Sequence, residues 1–355
     1  MKKKILFICG SINQTRQMHK IAEHLPDAER YFTPYYCDGL LENARQWGLL
    51  DFCILGNRLV SRTLAYLRSH DLPVDFQGKQ HTYDLIVTCS DLVVPRNCRN
   101  KRTVLVQEGM TDPENLFYFA VKALPFLPRW LASTSTTGLS HQYDRFCVAS
   151  EGYRELFIRK GVSPSRIVVT GIPNFDDCER FLNNTFPLKH FVLVCTSDSR
   201  ETFKFENRAR FIRKAVEIAQ GRQLVFKLHP NENVGRSESE IRRIAPEALV
   251  FSTGNTEEMI ANCDVLITRF STTVYVGLAL GKECYSDFDM DELRRLTPIQ
   301  NGRAAENIAL VCRSLLIEAS SGSPSPGRQS LPVPPKQGLS EKRRLLQTLF
   351  PRRAA

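Results

Sequence analysis

Three short stretches hold residue types that can handle a hydroxyl and a phosphate. In "VLVQEGMTDPENL", Glu108 and Gly109 follow directly on an apolar run at 103–107. A carboxylate at the carboxyl end of a sheet strand suits a general base, and the glycine behind it lets a ligand approach the backbone. In "VFKLHPNEN", a strand-like run stops at His229–Pro230. Proline fixes φ and carries no N–H, so the strand ends and His229 is left at its mouth. An imidazole there can donate to a phosphate oxygen and, when charged, attract it. Lys227, two residues earlier, is expected on the same strand face. In "VLITRFSTTVYVG", Ser271, Thr272 and Thr273 open a helical pattern just after a strand, with Arg269 shortly before. Free N–H groups, the helix dipole and three hydroxyls make an anion site. Each stretch also has a structural reading: a helix-start acid, a strand stop, an N-cap.

Positioning these residues takes alternating strands and helices. Strands are predicted at 4–8, 85–89, 103–107, 145–149, 167–170, 191–195, 223–228, 248–252 and 265–268, with a further short one after Lys282. Several are continuous apolar runs, the mark of parallel strands covered by helices on both faces. Helical patterns fall at 15–25, 153–160, 206–220, 237–244, 256–262 and 273–280. The class is therefore α/β, with two Rossmann-like, doubly wound parallel sheets facing across a cleft. The series restarts near 185–188. Predicted limits are 1–186 for a first domain, 187–317 for a second, and 318–355 for a tail. The first strand runs into Gly10–Ser11 and then a helix, without the GxGxxG of dinucleotide sites.

Composition narrows the class. The chain has 355 residues, 42% of them hydrophobic, enough for two cores. The start, "MKKKILFICG", reads as a first strand behind three lysines, since its apolar run is too short for a signal peptide. No run of about 18 apolar residues predicts a membrane span. Eleven cysteines show no CxxC pair and no zinc spacing, which predicts reduced buried thiols and a cytoplasmic setting. The net charge is +10, but residues beyond 318 carry +6 of it (Arg328, Lys336, Lys342, Arg343, Arg344, Arg352 and Arg353 against Glu341). A body of about +4 argues against a nucleic-acid surface. The tail joins a Ser/Pro/Gly-rich stretch to "LSEKRRLLQTLFPRRAA", whose Leu345, Leu346, Leu349 and Phe350 share one helical side. Such a segment suits an anionic membrane surface, a peripheral position on the inner face.

Over residues 1–315 these motifs, in this order, resemble the GT-B superfamily. They look most like its group of CDP-glycerol glycerophosphotransferases, capsule Kdo- and polysialyltransferases and UDP-N-acetylglucosamine 2-epimerases. The resemblance implies that Lys227, His229, Ser271, Thr272 and Thr273 hold the donor's phosphates and that Glu108 is the catalytic carboxylate. It places Gly171, in "TGIPNFDD", near the donor cleft and Glu258 near the base, and leaves Gly10, Ser11 and Gly109 on the acceptor side. Where relatives put a ribose-binding Glu after the hydroxyl run, this chain has Val276. The implied activity is a metal-independent, cofactor-free transfer of a sugar from a nucleotide donor to a surface glycan or lipid-linked acceptor. An epimerase, a polyol-phosphate transferase and a binding-only relative are the alternatives.

Overall fold

The computed structural model describes residues 2–51, 53–124, 126–201 and 205–320. The predicted tail lies almost wholly outside them. The first sheet is built from β1 (Lys4–Cys9), β2 (Glu29–Pro34), β3 (Leu85–Thr88), β4 (Thr103–Val106), β5 (Arg145–Val148) and β6 (Ile167–Val169). The second is built from β7 (Val192–Cys195), β8 (Leu224–Lys227), β9 (Leu249–Phe251), β10 (Val265–Ile267) and β11 (Glu283–Tyr285). Every pairing is parallel, in the orders β2-β1-β3-β4-β5-β6 and β11-β10-β7-β8-β9. The inner strands β3, β4, β7 and β8 are buried end to end, as their continuous apolar sequences require.

The helices are α1 (Ile12–Glu23), α2 (Leu40–Gln46), α3 (Asn57–Ser69), α4 (Leu116–Ala123), α5 (Glu151–Lys160), α6 (Arg208–Ala219), α7 (Val234–Ile244), α8 (Thr256–Asn262), α9 (Thr273–Ala279), α10 (Met290–Leu296) and α11 (Ala304–Ser320). Strand order reverses between β1 and β3 in one sheet and between β7 and β10 in the other. Crevices open outside the strand ends at such reversals. The loops after β1, β3, β7 and β10 are therefore the places to seek ligands.

α11 departs from the expected domain limits. Most of it falls within 187–317, yet Ala305, Ile308, Ala309, Cys312 and Leu315 pack in one core with Ile5, Phe7, Val87 and Val104 of the first sheet. The chain thus crosses back and closes the first domain with its last helix.

The two halves also share a core. Leu105, Phe146, Val148 and Tyr153 pack with Val274, Tyr275, Leu293 and Leu296 from α9 and α10. The buried hydroxyls of Tyr153 and Tyr275 bond at 2.7 Å. At Gly152 a β-carbon would lie 2.2 Å from the Arg295 carbonyl oxygen, so α5 and α10 approach as closely as glycine allows. Gly152→Ala must push backbone away from backbone. A loss of about 1–3 kcal/mol, the usual cost of overpacking, is expected in urea unfolding.

Candidate active site

β4 delivers Glu108 to the carboxyl edge of the first sheet. Ser11 Oγ donates to Glu108 Oε1 at 2.8 Å and Gln14 Nε2 donates to Oε2 at 2.5 Å. Both donors come from the start of α1. Ser11 also caps that helix, accepting from the Gln14 N–H. Gly10 serves the same group: a β-carbon there would lie 1.9 Å from Gln14 Oε1, so only glycine leaves the amide its path to Glu108. Burial raises the Glu108 pKa above the ordinary carboxylate value, and the Gln14 and Ser11 donors bring it part of the way back. A carboxylate so placed is a base with more proton affinity than one in water.

Glu108 faces a cavity of about 600 Å³. Gln14, Cys89, Gly109, Trp130 and Phe175 line it, and so does Thr272 from the second domain. Gly109 and Thr272 are in contact: a β-carbon at 109 would lie 2.9 Å from Thr272 Cγ2 and 3.0 Å from its Oγ1. Glu108 of the first domain and Thr272 of the second thus share one cavity, while Ser271, Thr273, Arg269 and His229 are not among the residues that line it. Ser271 Oγ and Thr273 Oγ1 bond to each other at 2.9 Å, and Val274 N–H donates to the Ser271 carbonyl, which starts α9.

The His229 turn is held by a residue that the sequence reading overlooked. Glu232, in the same "HPNE", is buried and accepts from the His229 N–H at 2.8 Å. It also accepts from the Thr196 hydroxyl after β7, from Arg208 Nη2 at 2.5 Å and from Ser237 Oγ at 3.2 Å. Arg208 pairs onward with Glu206 at 3.0 Å, and Glu206 lies 3.8 Å from Arg269. Arg269 binds Asp287 at 2.6 Å. One ion-pair chain therefore ties the loop carrying His229 to the loop leading into Ser271. The Asn231 N–H approaches His229 Nδ1 at 3.3 Å, which places the ring proton of a neutral imidazole on Nε2. Asp198 stands 3.6 Å from the same Nδ1.

Other predicted residues lie elsewhere. Lys227 does not join His229: its buried ammonium donates to the carbonyls of Leu228 at 3.0 Å and Ser252 at 3.5 Å. Burial lowers its pKa. Gly171 takes the left-handed conformation, φ +84°, and packs on Ala304 at the start of α11. Phe175, four residues on, reaches the cavity in its place. Glu258 accepts from Asn255 Nδ2 at 2.9 Å, and Asn255 caps α8, so this acid belongs to a helix start. Val276 is fully buried among Cys195, Leu193 and Leu266 and faces the second sheet, not the cleft.

Gln14 had a signal in the sequence. Ser11-x-x-Gln14 is the spacing of a capping box, though here the amide reaches Glu108 instead of the cap. Glu232 had none, since its partners come from three separate segments. Removing one member of a buried ion pair strands the other. Glu232→Ala is therefore expected to cost about 3–5 kcal/mol by chemical denaturation, and pairing Glu232→Leu with Arg208→Met should restore most of it.

No family model matches the chain, and no curated protein matches it. Solved structures do. A UDP-GlcNAc 2-epimerase from Neisseria meningitidis bound to UDP-GlcNAc superposes with a TM-score of 0.55 at 11% identity, covering 88% of this chain and 100% of that one. An S. aureus MnaA–UDP co-structure gives 0.54 at 11% identity, with 89% and 97% covered. A further UDP-N-acetylglucosamine 2-epimerase gives 0.50 at 14% identity, with 92% and 99% covered. The likeness is one of fold: two parallel-sheet α/β domains in the GT-B arrangement, as the sequence motifs predicted.

Proposed function

We propose that the protein is a nucleotide-sugar-dependent glycosyltransferase of the GT-B type. The observation that carries this reading is Glu108, held by Ser11 and Gln14 and facing a cavity that Thr272 of the second domain also lines. In the proposed reaction Glu108 takes the proton from an acceptor hydroxyl. The acceptor oxygen bonds to the anomeric carbon as the bond from that carbon to the phosphate oxygen breaks, with inversion. The electron pair leaves on the nucleotide phosphate. His229 Nε2–H, the hydroxyls of Ser271, Thr272 and Thr273, and Arg269 are proposed to meet that charge. This chemistry asks for no metal, because fixed donors and a cation supply what a metal would. Two of the fold neighbours hold UDP-GlcNAc or UDP, which makes a nucleoside diphosphate sugar the first donor to test.

An epimerase would remove a carbon-bound proton from one face and return one to the other, and so needs two opposed acid–base groups. Among the described residues lining the cavity, Glu108 is the one carboxylate. This favours transfer over epimerisation. A CDP-polyol donor would make the same demands of Glu108 and His229, and assaying CDP-polyols beside nucleotide sugars separates the two. The acceptor is proposed to be a cell-surface glycan or glycolipid. Among the described residues no helix is long and apolar enough to cross a membrane.

Two variants divide the roles. Glu108→Gln should leave nucleotide affinity within about twofold and cut turnover about 100-fold or more, the range of a lost general base. His229→Ala should weaken nucleotide affinity measured by calorimetry. Near wild-type turnover in the first, or unchanged affinity in the second, contradicts the assignment. Activity needs ionised Glu108, so it should rise as pH rises through the pKa of that group. Gln14→Leu removes a donor that favours the carboxylate, and the acid limb of the pH–rate profile should move to higher pH.

A further inference from the structure

The cavity holding Glu108 has an apolar lip. One side is the segment around α2, where Leu40, Trp47 and Leu49 are exposed. The other is α4 with the turn after it, where Leu116, Phe117 and Phe126 are exposed; all six are 61–87% accessible. Both segments run into the same cavity: Leu41, Leu50 and Ile54 line it from the first, and Trp130, Ser133 and Thr134 from the second. The chain has two tryptophans, Trp47 and Trp130, and both stand on this lip. Large apolar side chains exposed together at a cavity mouth mark an interaction site on a soluble protein. The charges beside it are mixed: Lys122 in α4 and Arg96, whose guanidinium approaches Gly39, are exposed cations, and Asp51 and Glu114 are exposed acids.

We infer that this lip is a membrane-docking face, seated at the headgroup level of an anionic bilayer. Tryptophan and phenylalanine favour that depth, where an apolar ring meets a wet boundary. Of the net charge of +10, +6 lies beyond residue 318, so the tail draws the chain to such a surface and the lip meets it. The apolar surface does not stop at the lip but continues down the cavity wall toward Glu108. A second protein seated there would cap the cavity. A bilayer can send part of one of its own molecules inside. The inference rests on the exposed lip, not on the transferase reading, and its test needs no turnover.

The two tryptophans are the probe. With the full chain, vesicles of phosphatidylcholine and phosphatidylglycerol should shift tryptophan emission to the blue, and brominated lipid should quench it. In about 1 M salt, where the screening length is about 3 Å, attraction by the basic tail is lost and insertion of the lip remains. Under those conditions F117S/F126S should lower the vesicle partition coefficient about 100-fold, as expected for removing two buried rings, with its elution volume unchanged. L40S/L49S, on the opposite side, should act in the same direction. No emission shift, or vesicle binding that both variants leave intact, overturns the inference. So does a wild-type dimer that either variant converts to a monomer without any vesicle binding.

Discussion

A β-carbon at position 109 would lie 2.9 Å from Thr272, so the two sheets meet where one of them carries no side chain. That approach brings Thr272 of the second domain into the wall of the cavity that Glu108 faces. The shared core of α5, α9 and α10 keeps the approach in register, with glycine again at the tightest point, against Arg295. Close packing between the domains and the placing of reactive groups are here one constraint.

Glu108 and the His229 turn are each braced by polar groups with little freedom. On the first sheet Glu108 is fixed by two donors from one helix start, and its burial leaves it more basic than an exposed carboxylate. On the second, Glu232 gathers the His229 turn, the loop after β7 and Arg208. Buried charges add little net stability when paired, but they fix geometry because each is costly to leave alone. The His229 loop is stiff for that reason, and proline supplies only part of the stiffness.

Much of the fold was legible in the sequence. Continuous apolar runs located nearly every inner strand, and the restart after residue 185 located the second sheet. β2 was missed because "ERYFTP" is an edge strand with a charged start and a proline at its end. α3 was missed because only Thr63 and Leu67 are buried on it, too narrow a stripe to read. The return of α11 to the first sheet is a matter of tertiary packing, which local periodicity cannot report. Among the site residues, Glu108, Gly109 and Thr272 were legible because strand-end position and chemistry coincide. Lys227 misled because alternation gives the face of a strand, while a lysine long enough to bend back found two carbonyls instead. The Ser11-x-x-Gln14 spacing marked a helix start but not the bond from Gln14 to Glu108, and Glu232 reaches Thr196 and Arg208, where spacing carries no information.

If loops of both domains form one nucleotide-facing site, a bound nucleotide must quieten both at once. Hydrogen exchange of the full chain, alone and saturated with CMP, CDP, UDP or GDP, reads this directly. At least one nucleotide should slow exchange at 229–232 and 269–273 of the second domain together with 108–110 of the first. Protection confined to the first domain, or none with any of the four nucleotides, would contradict a shared site.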